Sequence, residues 1–184
     1  MDYNLVSDDL RILSIKEFLH PNIIERFFIK KILEDNYQKD AITKNTLGYN
    51  YLINSDHKFF TNLYSKFLDV SKNIFSGINI SPNNSSKLWG YRSNKDVWAS
   101  VFHDHEKTST INAVYYFDLS PSDSISFQKN NKVFTYSPEK YELLIFPGTL
   151  KHKPDRPLKN KIRYSINIEI ITTQSAYYLF YEKL

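Results

Sequence analysis

The 184-residue chain contains no cysteine. That excludes disulfides, thiolate-bound zinc, iron–sulfur clusters and a cysteine nucleophile, and it leaves histidine, aspartate and glutamate as candidate metal ligands. Long apolar runs are missing too: no window approaches the roughly 18 residues needed to cross a bilayer. The start Met1-Asp2-Tyr3-Asn4 has neither the basic residues nor the apolar stretch of a signal peptide. A cytoplasmic protein without membrane contact is expected. Glycine is scarce, at four residues, against fourteen Tyr and thirteen Phe, a usage that favours packed, strand-rich structure over disorder. No block of one charge sign stands out. The net charge is +4 with the lysines scattered, which argues for ordinary solubility and against a nucleic-acid partner. The length predicts one domain over residues 1–184, with a helical support over 1–80 and a strand-rich core over 87–184.

Residues 9–16 partly alternate and predict a short first strand. Pro21 suits a first helical position, and Ile23, Ile24, Phe27, Phe28, Ile32 and Leu33 form a stripe at helical spacing. His20 before it reads as a boundary residue. A polar, turn-rich segment over 36–48 leads to a second helix, signalled by Asn54-Ser55-Asp56 at its start and Gly77 at its end. Phe60, Leu63, Phe67, Val70 and Ile74 mark its buried face, with His57 in its first turn as a solvated residue. A loop around Pro82, Asn83 and Asn84 follows. Strands are then predicted near 87–92, 97–105, 111–118, 124–128, 132–136, 142–147, 162–171 and 177–182, separated by turn residues such as Asn130-Asn131 and Pro147-Gly148. About eight short strands without helical period between them predict a mainly β fold, a double-stranded β-helix closed as a jelly-roll barrel, with the two N-terminal helices packed outside.

Three of the five histidines fall in the strand-rich part. On a strand over 97–105, alternation puts Val97, Ala99, Val101, His103 and His105 on one face. Two imidazoles one pleat apart bind one ion at about 2.0–2.2 Å each when a third ligand arrives from another strand. His152, just after the turn Phe146-Pro147-Gly148, is the candidate. The same spacing also fits barrel histidines bonded to carboxylates without a metal. On the strand over 162–171, Ile162, Tyr164, Ile166, Ile168 and Ile170 separate from Arg163, Ser165, Asn167 and Glu169. That polar face fits a solvent-exposed edge; it also fits a closed barrel in which it points into the cavity of the histidines, where Arg163 can grip a carboxylate through two parallel bonds and Ser165 can donate to it.

His103-Asp104-His105, Asn112-Ala113-Val114-Tyr115-Tyr116, Ile145-Phe146-Pro147-Gly148-Thr149-Leu150-Lys151-His152, and Arg163-Tyr164-Ser165 with Asn167 occur in that order. Over Trp98 to Glu169 this resembles the core of the 2-oxoglutarate/Fe(II)-dependent dioxygenases, most of all a phage and marine-bacterial branch of prolyl-hydroxylase-like oxygenases. The resemblance implies a hydroxylase using Fe(II), 2-oxoglutarate and O2, with a peptide or protein favoured as prime substrate. It implies His103 and His152 as iron ligands, and Arg163 and Ser165 as holders of the far carboxylate of 2-oxoglutarate. The chain departs from the pattern at His105, where most of the superfamily has Asp or Glu. His105 completes a three-histidine set, and Asp104 is a lesser alternative that a β-bulge would bring round. Trp98, Tyr115, Tyr116 and Asn167 are expected to line the cavity.

Two other readings stand beside this one. A cupin-like three-histidine oxygenase would use the metal without 2-oxoglutarate, although the glutamate usual after His-x-His is absent at Ser109, Thr110 and Ile111. A barrel that has lost catalysis and serves as a binding protein would account for histidine at the carboxylate position.

Overall fold

The protein is described here from a computed structural model covering residues 2–35, 57–81, 87–96, 98, 101–158 and 161–184. The expected turn-rich segment over 36–48, the start signal Asn54-Ser55-Asp56, the loop residues Pro82, Asn83 and Asn84, and Val97 and Ala99 lie outside the described residues.

Among the described residues nine strands form two antiparallel sheets. The larger has the order β1 (Asn4–Ser7), β2 (Ile12–Ile15), β7 (Leu143–Pro147), β4 (Ile111–Asp118), β9 (Arg163–Ile170), β3 (Lys87–Ser93). The smaller has the order β6 (Lys132–Tyr136), β5 (Ile125–Lys129), β8 (Lys151–Pro154). Period-2 alternation divides the larger sheet into two faces. Ala113, Tyr115, Leu143, Ile145, Tyr164, Ile166, Ile168 and Ile170 pack on one side with the helices. Val114, Tyr116, Leu144 and Phe146 pack on the other against Ile125 and Phe127 of the smaller sheet. The result is a mainly β jelly roll with helices packed outside, as the strand spacing predicts.

Helix α1 (Ile23–Asp35) is started by Asn22. The Asn22 side chain accepts from the amides of Ile24 and Glu25, and Glu25 accepts from the Asn22 amide at 2.8 Å, a reciprocal capping box. Pro21 therefore precedes the cap instead of opening the helix. The apolar stripe is wider than the face that packs: Ile29 and Leu33 are buried, whereas Ile23, Ile24, Phe27 and Phe28 are exposed. Helix α2 (Lys58–Ile74) buries Phe60, Leu63, Phe67 and Val70, the face its spacing predicts. His57 is its half-buried N-cap, accepting from the Phe59 amide through Nδ1 at 3.3 Å, not a solvated first-turn residue.

Among the described residues, two of the predicted strands do not form. The described part of 97–105 holds no strand: His103 alone bridges to His152, Val101 is exposed, and a turn follows His105. Residues 177–182 close the chain as a π-helical segment, Tyr178–Lys183, because burying Leu179 and Phe180 against the helices, with the Phe180 ring 4.7 Å from Phe75, outweighs aromatic strand preference. Strands β1 and β8 were not legible: β1 is short and half exposed, and β8 reads Lys-His-Lys-Pro without an apolar face.

Candidate metal centre

His152 sits on β8, which pairs with β5, and the backbones of His103 and His152 exchange two hydrogen bonds of 3.1 and 2.8 Å. His105 is placed by a different contact, its amide donating to the Gly148 carbonyl at 2.8 Å. Gly148 permits this approach, since a methyl group there would run into the Ser109 carbonyl. The ring centroids of His103, His105 and His152 lie 4.6–5.3 Å apart, and one ring nitrogen from each falls within 4.8 Å of the others.

Two of the three rings are hydrogen-bonded through Nδ1, and the third has a carboxylate beside it. His103 Nδ1 donates to the Val101 carbonyl at 3.2 Å and His152 Nδ1 to the Leu150 carbonyl at 3.0 Å. His105 Nδ1 faces Glu169 Oε1 at 3.3 Å. Each carbonyl acceptor puts the proton on Nδ1 of His103 or His152 and leaves the Nε2 lone pair for a ligand, the usual way a metal-binding imidazole is oriented, and a carboxylate beside His105 Nδ1 favours the same tautomer there. Burial, reinforced by His103, lowers His105 to a pKa of about 4, and burial lowers His152 well below its ordinary value. Both rings are therefore neutral near pH 7, as coordination requires.

These histidines line one end of a cavity of about 290 Å³, with Tyr116, Arg163, Ser165 and Asn167 along its wall. Arg163 is 2% exposed. Its Nε donates to Ser93 Oγ at 3.0 Å, and its terminal nitrogens donate to the Ser124 and Asp155 carbonyls at 3.1 Å each. All three partners are neutral. Each terminal nitrogen keeps a further N–H. Tyr116, on the same cavity face, has a buried hydroxyl without a hydrogen-bond partner among the described residues, and burial raises its pKa.

Of the expected site residues, the structure brings together His103, His105, His152, Tyr116, Arg163, Ser165 and Asn167. Asp104 is exposed and accepts from the Glu106 amide at 3.3 Å, outside the histidine cluster. Tyr115 points to the opposite face of β4, where its hydroxyl donates to the Leu19 carbonyl at 2.6 Å. Trp98 lies beneath the Arg156 guanidinium, 4.9 Å from its ring centroid, and is not part of the cavity wall. Trp89 and Tyr91 line the cavity instead; the alternation Trp89, Tyr91, Ser93 along β3 was the signal for them. Glu169, buried behind His105, was visible on the polar face of β9 but its partner was not. Burial raises its pKa.

No protein-family model matches the chain, and no curated protein does. Solved structures do. A prolyl 4-hydroxylase from Phytophthora capsici superposes with a TM-score of 0.65 at 10% identity, over 92% of this chain and 63% of that one. The chain thus spans less than two thirds of that enzyme. A Trichoplax adhaerens prolyl hydroxylase, solved in complex with a peptide fragment of the hypoxia inducible factor oxygen degradation domain, gives 0.59 at 14% identity, over 87% and 83%. HygX from Streptomyces hygroscopicus, solved with nickel and 2-oxoglutarate, gives 0.60 at 13% identity, over 90% and 84%. At these identities the likeness is one of fold.

Proposed function

We propose that the protein is an Fe(II)- and 2-oxoglutarate-dependent dioxygenase acting as a hydroxylase. The observation that carries this is Arg163: a buried guanidinium with only neutral partners, facing the cavity that three metal-ready imidazoles line. A buried charge without a counter-ion costs several kcal/mol, and a dicarboxylic acid whose other end chelates a metal would remove that cost. The donor set fits the groups. Nitrogen ligands on neutral imidazole suit Fe(II) as well as Ni(II) or Zn(II), and the free N–H groups of Arg163 suit a carboxylate.

In this reading His103, His105 and His152 hold the metal through Nε2. Arg163 holds the far carboxylate of 2-oxoglutarate, and the hydroxyls of Ser165 and Tyr116 donate to the same end. Iron with 2-oxoglutarate supplies oxidative decarboxylation to succinate, using O2, coupled to hydroxylation of a C–H bond. The chain contributes orientation and exclusion of water. The strap from Ser93, Ser124 and Asp155 fixes the guanidinium, while Trp89, Tyr91, Val114 and Ile125 give the cavity apolar walls. A peptide or protein is the favoured prime substrate, a preference in line with the peptide complex of the Trichoplax enzyme. The proposed setting is the cytoplasm; no helix among the described residues is long and apolar enough to cross a membrane. Placement in the phage and marine-bacterial branch rests on motif order alone.

The test is to load the protein with Fe(II) anaerobically, admit oxygen with 2-oxoglutarate, and measure succinate. Succinate that requires iron and disappears in Arg163→Ala supports the reading. Iron uptake without affinity for 2-oxoglutarate would support a cupin-like oxygenase, and absence of metal uptake a binding protein.

A further inference from the structure

We propose that Glu169 supplies, through His105, the carboxylate that the ligand set lacks, so that Glu169 is a positioning residue of the metal centre. The inference rests on the metal-binding reading above. With Asp or Glu second in the motif, a carboxylate would touch the ion directly. Three neutral imidazoles leave the full charge of a divalent ion uncompensated.

The structure puts a carboxylate one ring further out. Glu169 stands on the cavity side of β9 and is 3% exposed. Its Oε1 lies 3.3 Å from His105 Nδ1 and accepts from Trp89 Nε1 at 2.9 Å. The indole therefore fixes the carboxylate against the imidazole. His103 and His152, by contrast, give their Nδ1 protons to backbone carbonyls. His105, the ring at the departing position, is thus the one ring of the three held by a carboxylate. A carboxylate on Nδ1 fixes the tautomer and makes Nε2 the stronger donor, and removing such partners commonly weakens metal binding about 10–100-fold. The placement follows from topology: β9 carries Arg163 in the cavity wall and, six residues along the same face, Glu169 behind His105.

The test is a double-mutant cycle read by Mn(II) titration of the full chain, with no turnover needed. In the wild type, Glu169→Gln should raise the Mn(II) dissociation constant about 10–100-fold. In a His105→Asp background, where a carboxylate touches the ion directly, Glu169→Gln should change it less than about threefold, because the indirect route is gone. An unchanged dissociation constant for Glu169→Gln in the wild type, or an equal loss in both backgrounds, overturns the inference while leaving the metal site intact. Failure of the wild type itself to bind Mn(II) overturns both. A wild-type measurement covers a variant that does not fold. In the Zn(II)-loaded protein the His105 Nδ1 proton should appear as a solvent-protected, far-downfield NMR resonance; a ring without it overturns the inference.

Discussion

Arg163 makes the residue-scale argument most sharply. Its three neighbours satisfy direction but not charge. Arg163→Ala is therefore expected to weaken 2-oxoglutarate binding by about 100-fold or more, as loss of one partner of a buried charge pair does, while Mn(II) affinity stays within a few-fold. Titration of each ligand separately checks this, and equal losses for both would contradict it. The histidines give a pH dependence. His105 sits at about 4 in the fold against an ordinary value near 6.5, and His152 shifts the same way. Between those values the unfolded chain binds more protons, so stability is full above about pH 6.5 and is lost as pH falls toward 4. Urea midpoints of the metal-free protein should decline across that window; a flat profile would contradict the buried, neutral rings. Much of this site was legible in the sequence, because His-x-His, Arg-x-Ser and a later His are local signals. Glu169 was not legible as a site residue, because its tie to His105 joins positions 64 residues apart that no periodicity links.

Elements were legible where one period governs them. The alternation of Arg163 to Ile170 sorts itself into core and cavity faces, and the stripe Phe60, Leu63, Phe67, Val70 is the buried face of α2. Phe67→Ala should accordingly cost about 3–5 kcal/mol, read as a shift in urea midpoint. Residues 101–105 escape this logic. They are placed by the His103–His152 bridge and the His105 amide on Gly148, contacts set by another part of the chain. Gly148→Ala should push that loop off Ser109 and spread the imidazoles. Its expected mark is metal affinity reduced at least tenfold, with a thermal midpoint lowered by only a few degrees. Unchanged metal affinity would show that the loop does not set His105. The aromatic run Tyr177 to Tyr181 misled for a related reason, since propensity favours a strand there while burial of Leu179 and Phe180 selects a helix.

At the scale of the whole molecule, one face of the larger sheet is filled by α1, α2 and the C-terminal segment, and the other closes on the smaller sheet to leave the cavity. His152 on β8 and His103 and His105 on the segment before β4 meet at that cavity. Metal binding should couple to that closure: Ni(II) at 100 times its dissociation constant would stabilise the fold by about 2.7 kcal/mol, visible as a rise in thermal midpoint that His152→Ala abolishes. The measurement that bears most directly on the whole account is calorimetric titration of 2-oxoglutarate into the protein with and without Mn(II), in the absence of oxygen. The account predicts one site per chain, binding that requires the metal, and its loss in both His152→Ala and Arg163→Ala. Binding of equal strength in metal-free protein, or binding indifferent to Arg163, would contradict it.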